Sequence, residues 1–482
     1  MKSISFLKIA TIATTASWVA YGAAHAGVPG YVDPTAGSAS FELEADSGFI
    51  TAADGGVIYM WGYHTSDSPV MQYPGPTLIV NEGDNVTIGL TNCLDGEAAA
   101  ENTSIIIPGF QVVATGGVAG AATNEAPPTC APADRVAYTF TADRPGTFLY
   151  QSGTNIDIQS EMGLAGTIIV RPSGFTHRAD ADIPDARPSV GDPSVALADP
   201  FNFTPSAGQT AYGAGTEYDH EYLFVLSDID PEIHEMVRLG DIVGAKALTP
   251  KPVYWFINGR AAPDTFFDNF VPWLPTQPYG SMTRMQPGQK TLVRTLSIGR
   301  DLHPFHLHGN NVRVIAVDGN MLSSVPGSGI PDLAFSDYTV TSVPGQSWDG
   351  LFEWTDLGMG WDVFDNSTVH PVEWHEPSAR IDGSHGGAVP VALPATPDLT
   401  FGGFWSGSPY LGAFGQLPPG EGGLNLNGGY FFMWHSHNEK ELVNNDIFPG
   451  GLMTMLIVEP FLDDAGELLV IPRGSQFETP VN

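Results

Sequence analysis

Cysteine is nearly absent from this 482-residue chain, which carries only Cys93 and Cys130. Positive charge is also scarce: 19 Lys and Arg stand against 53 Asp and Glu, a net charge of −34. Nucleic acid and anionic lipid are thereby excluded as partners, because such a surface repels polyanions. Metal cations are attracted in a general way, and the same charge keeps an exported protein soluble. Beyond the N-terminus no apolar run is long enough to cross a bilayer, so no membrane span is expected. No Gly-x-Ser-x-Gly elbow, Walker loop or dinucleotide fingerprint is found.

The N-terminal stretch "MKSISFLKIATIATTASWVAYGAAHA" has two lysines, an apolar core and a final Ala24-His25-Ala26. This is the pattern of a signal peptide, with cleavage expected before Gly27 and export to the periplasm or beyond. In an oxidising compartment Cys93 and Cys130 are most simply a disulfide, with copper ligation the alternative. Paired in this way, they leave no thiolate for a metal.

What is abundant is turn chemistry, with Gly 56 and Pro 40. From about 40 to 172, β-rich runs such as "PGPTLIVNEGDNVTIGLTN" alternate Val, Ile and Thr between turn signals, as in a β-sandwich. Residues 173–217 read as a Pro-, Asp- and Ala-rich linker. A second β-rich set begins at "EYLFVLSDIDPEIH" and runs to about 462. It is interrupted by a Gly-, Pro- and Trp-rich insertion over roughly 357–428, and a tail follows over 463–482. The shared strand pattern of the halves suggests two copies of one all-β fold.

Histidines carry the chemistry. "HPFHLHG" supplies His303, His306 and His308, and "HSHNEKE" supplies His435 and His437. On an extended strand, residues two apart share a face, so His306 with His308 and His435 with His437 each present paired imidazoles. Neutral imidazole is the commonest side-chain ligand for copper and zinc.

These motifs, with "TLIVNEGDNVTIGLTN", "GTFLYQSG…MGLAGTIIV" and "GGLMTMLIV", resemble the landmarks of multicopper oxidases of the two-domain type. The resemblance implies two cupredoxin-like Greek-key β-sandwich domains, copper as cofactor and a homotrimer as the first assembly to expect. It also implies a ligand plan. His306, His308, His435 and His437 match half of the family's trinuclear copper ligands, and His303 matches a type 1 ligand. Ser436 stands where the family has its bridging Cys, and Glu441 where it has the second type 1 His. The four first-domain ligand positions hold Ile106, Pro108, Gln151 and Gly153, so those sites are degenerate and fewer copper ions than the family's four are expected. A serine hydroxyl hardly ionises near neutral pH and is a poor substitute for a soft thiolate. His303, Ser436 and Glu441 remain open to the reading of an oxygen-rich pocket for a harder ion.

Elsewhere "HPVEWHEP" gathers His370, Glu373, His375 and Glu376, with Asp362 and Asp365 nearby, either as a metal cluster or as a solvated acidic loop. His64, His177, His220, His234 and His385 are isolated in sequence and read as structural. Three functions follow: a copper-binding protein without ordinary O2-reducing oxidase activity, a divergent copper oxidoreductase acting on phenols or on Mn, Cu or Fe ions, and a non-catalytic β-sandwich interaction protein.

Overall fold

The computed structural model describes residues 28–173, 209–354 and 430–458 apart from a few positions within them, together with Phe175 and short strand pieces between 384 and 472. The leader, most of the linker, nearly all of the insertion and the tail lie outside the described residues.

Alternation builds the first half. In strand Ser38–Thr51, Ala39, Phe41, Leu43 and Ala45 turn inward, while the intervening Ser40, Glu42 and Glu44 face outward. It sits between Val57–Thr65 and Asn85–Asn92 in a five-stranded sheet that continues through Val136–Thr141 to Val113–Gly116. A four-stranded sheet of Tyr31–Val32, Leu78–Asn81, Ala165–Arg171 and Gly146–Gln151 covers it. Trp61, Ile88, Leu90, Tyr138 and Ile168 fill the space between them. Each such large apolar side chain contributes about 1.5–3 kcal/mol when taken out of water. Cys93 and Cys130 are joined in a disulfide, the pairing expected from the sequence.

The second half repeats the scheme. Tyr254–Ile257, His220–Ile229, Lys290–Ser297, Ser347–Glu353 and Val312–Val317 follow one another in one sheet. Thr283–Met285, Met453–Val458, Tyr430–Ser436, His303–Leu307 and Thr339–Ser342 follow one another in the other. The pairing directions match as well. Ser38–Thr51 runs parallel to Asn85–Asn92, as His220–Ile229 does to Lys290–Ser297. Leu78–Asn81 runs parallel to Ala165–Arg171, as Thr283–Met285 does to Met453–Val458. The all-β expectation therefore holds, and one strand plan is used twice.

Every residue of His220–Ile229 is buried, because both faces of this strand are covered. Phe224 and Leu226 pack with Trp255, Trp348 and Trp434. Leu223 and Val225 pack instead with Ile50, Met60 and Leu149 of the first half. The same seam holds a buried polar network. Arg294 donates from Nε to Glu221 (2.5 Å) and from Nη1 to Asp349 and Thr147 (both 3.1 Å). Arg171 lies 3.0 Å from the other oxygen of Glu221, and the Tyr212 hydroxyl bonds Asp349.

One local expectation is corrected. The β run ends at Ile229, so "DPEIH" does not continue it. Helix Pro231–Arg238 starts there, because Asp230 accepts from the Glu232 amide and Pro231 occupies the first turn. With the short helix Ile242–Ala247 it sends Ile233, Val237 and Ala245 into the core of the first half.

Candidate metal centre

The "HPFHLHG" motif forms strand His303–Leu307, and period two divides its side chains. His303, Phe305 and Leu307 point into the core, whereas His306 and His308 lie half-buried on the opposite face. Strand Tyr430–Ser436 pairs antiparallel with it, placing His435 directly opposite His306 and Ser436 opposite Phe305. The Trp434 indole donates to the His308 carbonyl at 3.0 Å and ties the two strands together. At Gly309 the chain leaves the motif with φ of 102°, and a Cβ there would lie 3.1 Å from the Phe432 ring. Glycine is needed at that position.

Ligand nitrogens of His306, His308 and His435 lie within 4.8 Å of one another, an arrangement that can hold a metal ion. Nδ1 of His435 is 2.6 Å from the Ser436 carbonyl, which can only accept. Nδ1 therefore carries the proton, and the lone pair sits on Nε2, which faces His308 Nε2 at 3.1 Å. His306 Nδ1 is held by the Thr339 hydroxyl at 2.6 Å, a group that can donate or accept. Such outer hydrogen bonds orient metal-binding imidazoles and set their tautomers. Burial pushes the His435 imidazole down to about 3, and the neighbouring imidazoles add to this, so its lone pair persists into acid. Burial and His437 likewise lower His306. His437 is exposed, and its ring centroid is 4.7 Å from that of His306. The donor set thus suits copper, an ion that imidazole binds well.

His303 has a different environment. Its Nδ1 is 3.0 Å from Glu441 and its Nε2 3.4 Å from Asp228, with all three side chains fully buried. Burial alone would disfavour the imidazolium, but the bonds and charges of Asp228 and Glu441 outweigh it and raise His303 to about 9. Ser436 Oγ, on the same core side, accepts from the Asn438 amide at 3.1 Å. The His303 value lies above the 6.5 of an unperturbed histidine, so the bound proton stabilises the fold fully below 6.5. That contribution is lost as pH rises through 9. Urea unfolding of metal-free protein should therefore show stability falling over this range, and His303→Gln should flatten the slope. An unchanged slope in the variant would mean that His303 is not the titrating group.

The first-half positions come together as well. Ile106 and Gln151 exchange backbone hydrogen bonds of 2.8 and 3.1 Å, the same cross-strand relation that His306 has to His435. A Cβ on Gly153 would fall 2.5 Å from Ile106 Cγ2. Pro108 is exposed two residues along. The cross-strand backbone pairing is thus the same at both places, with Ile106 and Gln151 here where the second half has His306 and His435.

Of the remaining histidines, His220 Nε2 is 2.8 Å from the Gln289 amide oxygen. His234 bonds the Tyr59 carbonyl at 2.6 Å and faces Glu161. His64 is buried against two carboxylates. His177, Asp362, Asp365, His370, Glu373, His375, Glu376 and the His385 side chain lie outside the described residues. Sequence reasoning missed Thr339 and Asp228, since both reach their histidines across strands far apart in the chain. No helix among the described residues is long and apolar enough to cross a membrane.

Residues 70–174 match the family model described as multicopper oxidase. An L-ascorbate oxidase from Cucurbita pepo var. melopepo is 34% identical over 24% of this chain and 21% of its own length. The iron transport multicopper oxidase FET3 of Saccharomyces cerevisiae is 33% identical over 26% and 20%. The matched stretch thus spans about a fifth of the length of these relatives. A blue copper oxidase from Nitrosomonas europaea is similar at 18% identity with a TM-score of 0.47, over 87% of this chain and 85% of that one. The family model's match is confined to one segment, and residues 70–174 are similar to a multicopper oxidase domain.

Proposed function

We propose that this protein binds copper through His306, His308 and His435, with His437 at the exposed rim, and lacks the family's route for reducing O2. The observation that carries this reading is the convergence of three imidazole nitrogens within 4.8 Å. A copper ion held there would supply one-electron redox chemistry. The protein's own part is to hold His306 and His435 from behind, through Thr339 and the Ser436 carbonyl, and to keep His435 unprotonated.

His303 falls outside the binding set in this reading, because both its nitrogens face carboxylates and no lone pair is left for copper. Ser436 has no thiolate to offer, and Ile106, Pro108 and Gly153 bring no donor side chain. Assembly as a homotrimer would not complete a cluster, since every copy carries the same first-half residues. The reading includes export after cleavage before Gly27 and two domains, at 40–172 and 218–462.

Metal analysis tests it directly. Protein from its native source is expected to hold about one copper per chain, as three convergent imidazoles allow. It should lack the intense visible absorption of a copper–thiolate site. Several coppers per chain together with O2 consumption would overturn the proposal.

A further inference from the structure

The turn at the end of strand Tyr430–Ser436 has His435 just before it and His437 on it, and hydrogen bonds fix its course. The His437 amide donates to the Pro304 carbonyl at 2.8 Å, next to His303. The Asn438 amide donates to Ser436 Oγ at 3.1 Å, the turn that a serine hydroxyl makes with the backbone two residues on. The carbonyl of the same Ser436 is the one that orients His435.

The Asn438 side chain ties this turn to the buried acid behind it. Its Nδ2 donates to Glu441 Oε1 at 2.9 Å, and its backbone carbonyl accepts from the Glu441 amide at 2.9 Å. Glu441 has no exposed surface, and its Oε2 is 3.0 Å from His303 Nδ1. On the far side His303 Nε2 faces Asp228 Oδ1, which the amides of Arg300 and Asp301 hold at 2.9 and 3.0 Å. The Glu441 carbonyl accepts from the Leu452 amide at 2.7 Å, and the Leu452 carbonyl accepts from the Ser436 amide at 3.0 Å. The acid is thus anchored on the same strand pair as His435.

We infer that Glu441, held in place by His303 and Asp228, is a positioning residue for copper: through Asn438 it fixes the Ser436–Asn438 turn, and with it the direction of His435 and the position of His437. The inference rests on the copper reading. A buried acid paired with a buried histidine is a poor device for stability alone, because packed apolar side chains of similar volume often do as well or better. An apolar side chain in place of Glu441 would offer Asn438 no acceptor. Outer partners of this kind set metal affinity over a range of about 10–100-fold.

The test breaks the link and leaves His303, Glu441 and Asp228 intact. Asn438 is exposed, and Asn438→Ala removes its side-chain bond to Glu441. In the metal-free full chain, exchange of the His437 and Asn438 amides should speed up by about 10-fold, the scale of one hydrogen bond to a charged group. The urea midpoint should stay where it is. Cu(II) affinity should fall by about 10-fold. The parallel hyperfine splitting in the paramagnetic resonance of bound Cu(II) should change, which a role in folding alone would not produce. A parent that binds no copper would overturn the reading beneath the inference. A parent that binds it, beside a variant of equal affinity and equal splitting, would overturn the inference alone, whatever the exchange shows.

Discussion

Replacing His306 and His435 together by alanine is expected to lower copper affinity by more than roughly 100-fold, beyond the 10–100-fold loss typical of a single outer partner. The two residues are direct cross-strand partners, so the pair removes two of the three convergent nitrogens from one spot. His308 remains half-buried and His437 exposed, with no third convergent donor among the described residues. Thermal unfolding gives an independent reading. A ligand that binds only the folded chain stabilises it by about 2.7 kcal/mol at roughly 100 times Kd. Added copper should therefore raise the unfolding temperature of the parent and leave the double variant unmoved. Acid sensitivity should change as well. His435 titrates near 3 in the fold, below the 6.5 of an unperturbed histidine, so it contributes stability present above 6.5 and lost as pH falls toward 3. The variant should lose that part of the acid transition. Copper retained at parental stoichiometry would show that the ion sits elsewhere.

The second large effect is expected at the seam between the two sheet pairs. Arg294→Met should destabilise the protein by about 3–5 kcal/mol, the usual result of removing one partner from a buried ion pair. Arg294 serves Glu221, Asp349 and Thr147 at once, and all of these groups are buried. Without it Glu221 still has Arg171, but Asp349 is left with only the hydroxyls of Thr147 and Tyr212. Arg294→Lys should recover part of the loss, since it restores the charge but not the two-pronged geometry. Urea unfolding followed by tryptophan fluorescence measures this, because Trp255, Trp348 and Trp434 lie in the adjoining core. A change below about 1 kcal/mol, the level of an exposed pair, would mean that water reaches this network in solution.

Much of the histidine centre was legible because strand periodicity is rigid. "HPFHLHG" on a strand must put His306 and His308 on one face, and the same rule puts His303 on the other. The fate of His303 was not legible. Its partner Asp228 lies on a strand 75 positions earlier by number, and nothing local in "VLSDID" marks that aspartate as the neighbour of a histidine. His64 was read as isolated for a related reason. Glu44 and Asp46 are near it only through the register of an antiparallel hairpin, which a run of outward-facing polar residues specifies weakly. The helix at Pro231 was readable from Asp230 and Pro231, and was masked by the long apolar run before it.

Residue types and their two-residue spacing were enough to establish the all-β class, the doubled strand plan, the disulfide and the inventory of nitrogen and oxygen donors. These follow from local sterics and from which groups each side chain carries. Which donors meet was settled by strand register and sheet packing. That is where His306 found His435, His303 was enclosed by two carboxylates, and His64 was buried beside another two acidic groups. Coordination and ion pairing act over a few ångströms, and these close neighbours sit on different elements, from about 20 to more than 100 positions apart, where local sequence places no constraint.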